Sequence, residues 1–284
     1  MGLEQTALTV SVKIKTYQIT KHDKTLDIEI SNNNGNDIKY ARGHKSLISK
    51  EALDSVSGID TEIRNYIKKH TSPWLHNGVS IISARTVLDF KNHIIYDLFI
   101  KREQAITEFI DNYDYWKNEA RAKLNGLWNE TDYATQNELK NKFQHSLTIE
   151  PLNKKDTLDD FRATLTDGQI DDLKKVYDDQ TEQAKQDVTK ELFNRVSKVV
   201  KRYIDTLGNT KGKQIDGMIK QARELVSLLP DLNLFNNPEL DKLKNEIETE
   251  LLPYTETEIK EDDQKRNEAK EKADKILNDF NGYL

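Results

Sequence analysis

The sequence contains no cysteine. That absence excludes disulfides, thiol nucleophiles and thiolate metal ligands, and it fits a reducing cytosol, so a cytoplasmic setting is the expectation. Proline, at five, and glycine, at eleven, are scarce for 284 residues, which argues against sandwiches or barrels with many tight turns. No run approaches the roughly 18 apolar residues of a membrane span, and Met1–Lys13 has no basic stretch followed by an apolar one. Neither a membrane segment nor a leader peptide is therefore expected. An excess of positive charge is also missing. The 43 Lys and Arg stand against 49 Asp and Glu, a net charge of −6, which speaks against a dedicated nucleic-acid binder, because neutralising phosphates needs clustered basic residues.

What the chain has is charge of both signs and enough aromatic surface to fold. Charged residues make up 32% against 36% hydrophobic, with three Trp, eight Phe and eleven Tyr. That balance suits long solvated helices around a real core. The expected fold is mainly α, of the α+β kind: a long-helix bundle with a small N-terminal antiparallel β element.

Leu8, Val10, Val12 and Ile14 alternate with Thr9, Ser11, Lys13 and Lys15, the period of a half-buried strand, and Leu26, Ile28 and Ile30 repeat it before Asn32–Gly35. This predicts a β-hairpin. Short strands are expected at Val79–Ile82 and Ser146–Ile149. After Ser49, a helix carries Leu53, Val56, Ile59 or Asp60, Ile63 and Ile67 on one face until Pro73. A long one follows from about Thr86 to Leu127, with Leu88, Ile95, Phe99, Ile106, Phe109, Tyr113, Trp116, Ala120 and Leu124 on its stripe. A second runs from about Gln169 to Leu207 through Leu173, Tyr177, Ala184, Val188, Leu192, Val196, Val199 and Tyr203, about 58 Å at 1.5 Å per residue. Its steps of four exceed a strict heptad, so the stripe should rotate around the helix. Gly208, Gly212 and Gly217 mark a break before helices at Ile215–Leu229, Pro238–Leu252 and Thr255–Phe280. Residues 1–152 read as a β-hairpin plus helical region, and 153–284 as a C-terminal helical, coiled-coil-like region.

No catalytic, cofactor-binding or metal-binding residue is predicted. The six histidines are dispersed, none spaced i, i+4 as a zinc face requires. His70 and His76 flank Pro73 and Trp74, where a Pro-Trp plug on the core is the simpler reading. Acidic doublets such as Asp159–Asp160 and Asp171–Asp172 point about 100° apart on a helix and suit helix starts or solvated faces. Asn32, Asn34 and Asn36 open like a calcium loop, but Gly35 is misplaced and the bidentate Glu at the twelfth position is missing. Gly208–Lys213 falls short of a phosphate loop in glycine spacing, in having Gln214 where Ser or Thr would hold magnesium, and in following a helix. Arg195, Lys198, Lys201 and Arg202 form a basic run among acidic neighbours.

The order of features resembles an uncharacterised bacterial and phage family, number 3150 of the domains of unknown function. The residues that carry this are the N-terminal strand pair, Arg42-Gly43-His44-Lys45-Ser46-Leu47 followed by a helix, and Arg64, Pro73 and Gly78 before a strand. Phe109 and Tyr113 of the long helix, Phe143, Ile149 and Pro151, and Leu232-Asn233-Leu234 with Asn237-Pro238-Glu239-Leu240 complete it. Lys, Asn and Ile predominate here where many relatives carry Ala and Arg. The resemblance implies no catalytic residue; it implies an accessory role, possible partners including a MoxR-type AAA ATPase. The function expected is a non-enzymatic interaction or scaffold protein that binds a protein partner or itself through long helices. Alternatives are a nucleic-acid-associated phage accessory protein and an enzyme of unrecognised type.

Overall fold

The computed structural model describes residues 6–35, 37, 40–152, 162, 164–208, 213–280 and 282. It is 70% helical with a small antiparallel sheet, a mainly α fold of the α+β kind. No described helix is long and apolar enough to cross a membrane.

The first strand, β1 (Ala7–Lys15), forms as its alternation predicts. The second arm of the expected hairpin does not. After β2 (Thr20–His22), residues Lys24–Asn34 form a helix, α1. Asp23 caps its start by accepting from the Thr25 N–H, and Gly35, at φ 66°, closes its end by donating to Ser31 O. Alternate residues 26 and 30 also stand one helical turn apart, and the two caps decide between the readings. Asp27, not the apolar set, is the residue α1 buries.

β1 pairs instead with the predicted third strand, β5 (Ser80–Ser83), with Ala7 opposite Ser83 and Val10 opposite Ser80. With β4 (Ser72–Pro73) and β6 (Gln144–Pro151), the sheet order is β4-β5-β1-β6. β2 pairs separately with β3 (His44–Ser46).

After a 3₁₀ turn at Lys50–Leu53 comes α2 (Asp54–His70). The first long helix is made of α3 (Val87–Asn92), a π-helical segment (His93–Phe99), α4 (Ile100–Asp111) and α5 (Tyr113–Leu124). A π turn holds more residues than an α turn, so the buried line upstream shifts by one. Val87, Phe90 and Ile94 are buried there, while Leu88 of the expected stripe is exposed. The short α6 (Gln136–Lys140) follows. The second long helix, α7, spans Asp167–Gly208. Of its stripe, Ala184, Val188, Leu192, Val196, Tyr203 and Leu207 are buried and Val199 is partly buried, with Val200 buried beside it, but Leu173 and Val176 are 44% and 52% exposed. α7 packs on α8 (Lys213–Leu232) and α11 (Asp263–Asp279). α9 (Pro238–Glu246), a π turn at Ile247–Leu251 and α10 (Glu256–Glu261) complete the set. α8 continues past Pro230 to Leu232, and the expected last helix is split at Asp262, whose side chain caps α11.

Beside the division at 152/153 suggested by the sequence, the structure has two compact units whose segments alternate along the chain. One comprises Met1–Ser11, Lys68–Phe90 and Thr148–Leu284; the other comprises Val12–Ile67 and Lys91–Leu147. The first gathers Trp74 and Ile81 with the stripes of α7, α8 and α11. The second gathers Tyr17, Leu47, Val56, Phe109 and Tyr113.

In the second unit the Arg42–Leu47 motif is structural. The Lys45 ammonium is buried, 2.8 Å from both Asp23 Oδ2 and Asp132 Oδ2, and donates to Leu127 O at 2.7 Å. It holds the Asp23 carboxyl down at about 2. Lys21, opposite Lys45 in the β2–β3 pair, takes the other Asp132 oxygen at 2.6 Å, so one carboxylate separates two like charges. Gly43 donates its N–H to Asp27 Oδ1 at 2.7 Å, and a Cβ at that position would lie 2.2 Å from Leu26 Cβ. Gly43→Ala should therefore cost about 1–3 kcal/mol as α1 is pushed off β3. A urea midpoint equal to the parent's would show that the approach is looser than it stands.

Candidate functional site

The window Ile94-Ile95-Tyr96-Asp97-Leu98-Phe99-Ile100 is apolar at every position but one, more than one helical face can bury. The π segment absorbs part of it by burying the consecutive Leu98 and Phe99. Tyr96 and Ile100 remain 59% and 48% exposed.

One turn further, Arg102 points inward and is 0% exposed. Its Nε donates to Asp60 Oδ1 at 2.6 Å, and its Nη2 donates to Lys15 O at 2.9 Å and to Thr16 Oγ1 at 3.1 Å. The Thr16 hydroxyl donates in turn to Asp60 Oδ2 at 2.7 Å. Of the two residues the sequence offered for the face of α2, the structure thus buries the charged one, because Arg102 and Thr16 satisfy both carboxylate oxygens. Arg102 Nη1 lies 3.4 Å from His145 Nδ1. The same Nδ1 lies 3.4 Å from Glu103 Oε1, so the imidazole stands between a guanidinium and a carboxylate. Burial lowers the His145 pKa, Arg102 lowers it further, and Glu103 pulls it the other way. The ring packs on Phe99 with centroids 4.0 Å apart.

These groups meet at a groove of about 660 Å³ lined by Ile95, Phe99, Ile100, Glu103, Gln104, Thr107, Glu108, Asp111, Asn112 and His145. Its floor is apolar and its rim acidic. It runs along the π segment and α4 for about 25 Å, open to solvent, a form suited to an elongated ligand rather than an enclosed small molecule.

The other residues weighed from the sequence take structural positions. Trp74 is a core plug, buried and stacked on Phe235 at 6.2 Å. His76 lines a groove with Leu75, Gln180, Gln183 and Asp187, and His70 does not. Among the described residues no three His, Asp or Glu are placed to hold a metal. Arg195 is separated in role from the basic run: its guanidinium donates to Lys69 O, Thr71 O and Glu191, tying α7 to the end of α2, while Lys198, Lys201 and Arg202 are exposed. Asn233 bridges α8 to α9, donating to Asn237 O and Asp241 Oδ1 while accepting from the Asn237 N–H. Asn36, the Asp159–Asp160 doublet and residues 209–212 of the glycine turn lie outside the described residues.

No family model, no curated protein and no solved structure matches the chain. The groove itself went unpredicted, although the crowding of apolar residues in 94–100 was the signal for it. The buried Arg102–Asp60 pair left no trace, since neither spacing nor composition distinguishes it from exposed charge.

Proposed function

We propose that the chain is a non-enzymatic interaction protein, and that a partner protein docks along the groove over the π segment and α4. The observation that carries this reading is the exposure of Tyr96 and Ile100 beside the apolar floor formed by Ile95 and Phe99. A surface of this kind gains free energy when a partner covers it. The exposed Leu173 and Val176 of α7 give a second, smaller apolar surface for self-association or for a helical partner. The resemblance drawn from the sequence supplies one candidate partner, a MoxR-type AAA ATPase in the cytoplasm of a bacterium or an infected host. Acidic groups around the groove favour protein over nucleic acid, whose phosphates they would repel.

A photo-crosslinking amino acid at position 100 tests this. In native cell extract, a discrete adduct is expected at 100 and not at the exposed position 198. Excess unlabelled parent protein should suppress it, and excess Ile100→Ser variant should not. Equal labelling at the two positions, or none at 100, would overturn the proposal.

A further inference from the structure

We infer that the segment docked in this groove is a cationic amphipathic helix, with apolar residues along one face and Lys or Arg flanking them. The inference rests on the docking reading above and adds the partner's chemistry.

Three carboxylates, Glu103, Glu108 and Asp111, line the groove, and among the described residues no Lys or Arg does. Glu108 and Asp111 are exposed and form no ion pair among the described residues, where the one ion-pair partner of the Glu103 carboxylate is His145, at 3.4 Å. Two neighbouring cations are already paired, Arg102, buried, with Asp60 and Lys101 with Glu62. Burial holds the His145 pKa below its ordinary value, which disfavours a positive charge there. The groove therefore presents uncompensated negative charge around an apolar floor, and a partner complements it by carrying both kinds of group.

Geometry narrows the form of that partner. The floor residues Ile95, Phe99 and Ile100 occupy one end, and the carboxylates extend over about 12 Å of helix axis beyond them. An occupant needs its apolar anchors and its positive charges on one continuous face across about 25 Å, which four to five helical turns supply. Charge at the rim is screened by salt and acts mainly on recognition, whereas the apolar floor is insensitive to salt. The two contributions can thus be separated by experiment.

The probe is a synthetic peptide of about 18 Leu and Lys residues in helical period, long enough to span the groove. It is compared with an isomer of the same composition in strand period and with a Leu/Glu helix. Binding to the full chain is read by fluorescence anisotropy. The helical Leu/Lys peptide should bind more tightly than its isomer, and the Leu/Glu helix should not bind. Its affinity should fall with rising salt. The triple variant Glu103→Gln, Glu108→Gln, Asp111→Asn should weaken it about tenfold or more and flatten the salt dependence. A charge-matched control, Asp172→Asn, Asp179→Asn, Glu271→Gln, should leave affinity within about twofold, which excludes a general effect of net charge. Melting curves coincident with the parent's establish that all variants are folded. If the two triple variants behave alike, or the isomer binds as well as the helix, the inference fails. The docking reading is judged separately: Ile100→Ser abolishing the position-100 adduct's competition while the carboxylate triple retains it would preserve docking and eliminate a cationic partner.

Discussion

Arg102→Met is expected to lower stability by about 3–5 kcal/mol, the range for breaking a buried ion pair from one side. The loss comes chiefly from Asp60. Its carboxylate is buried, and without the guanidinium it keeps, among the described residues, the Thr16 hydroxyl as its one hydrogen-bond partner. Lys15 O also loses the donor from Nη2. Asp60→Leu alone should cost a comparable amount for the reciprocal reason, leaving a buried cation. The double variant Arg102→Met, Asp60→Leu removes both charges and should recover most of either single loss, because an ion pair returns little more than its own desolvation. Urea denaturation of the four proteins closes the cycle. Single variants within about 1 kcal/mol of the parent, or a double variant as unstable as the sum of the singles, would mean that the pair is hydrated and weakly coupled.

In the other unit, Leu192→Asp and Val196→Asp should each cost several kcal/mol, since both side chains are buried where α7 meets its neighbours and the new carboxylate would have no partner. Two controls give this its meaning. Lys198→Asp, on the exposed side of the same helix, should be nearly silent. So should Leu173→Asp, which the sequence places on the same stripe as Leu192 but which stands in solvent. Coincident urea midpoints for Leu192→Asp and Leu173→Asp would show that burial along α7 has been misplaced.

That contrast marks how far the sequence can be read. The steps of four through Ala184, Val188, Leu192 and Val196 located the packed part of α7, because a helix facing two others must repeat its apolar positions every turn. The same repeat continues through Leu173, which is 44% exposed; periodicity records which face is apolar, not how fully a neighbour covers it. Local chemistry was misread at α1, where the alternation of Leu26, Ile28 and Ile30 outweighed Asp23 and Gly35 as caps. The strands at β5 and β6 were legible from short apolar runs near Gly78 and Pro151, yet their pairing with β1 was not, since strand pairing is set by contacts distant in sequence. At the groove, the π segment defeats any fixed-period reading, because one widened turn re-aims every residue upstream of it. The floor of the proposed docking face, Ile95 and Phe99, lies on the stripe read from the sequence, whereas Ile100, Glu103 and Gln104 beside it lie off that stripe.

The interleaved path of the chain has a consequence for synthesis. All of Val12–Ile67 and Lys91–Leu147 has left the ribosome once Leu147 has, so that unit can close early. Trp74 and Ile81, which belong to the core of the other unit, are made before it, but the helices that cover them lie within Thr148–Leu284. At 5–20 residues per second that stretch takes roughly 7–30 s to make. During this interval a Trp and a β-branched strand stand unburied on a nascent chain whose neighbouring segments are already folded. Chaperone engagement should concentrate there, and slower translation of Thr148–Leu284 would prolong the exposure that favours aggregation.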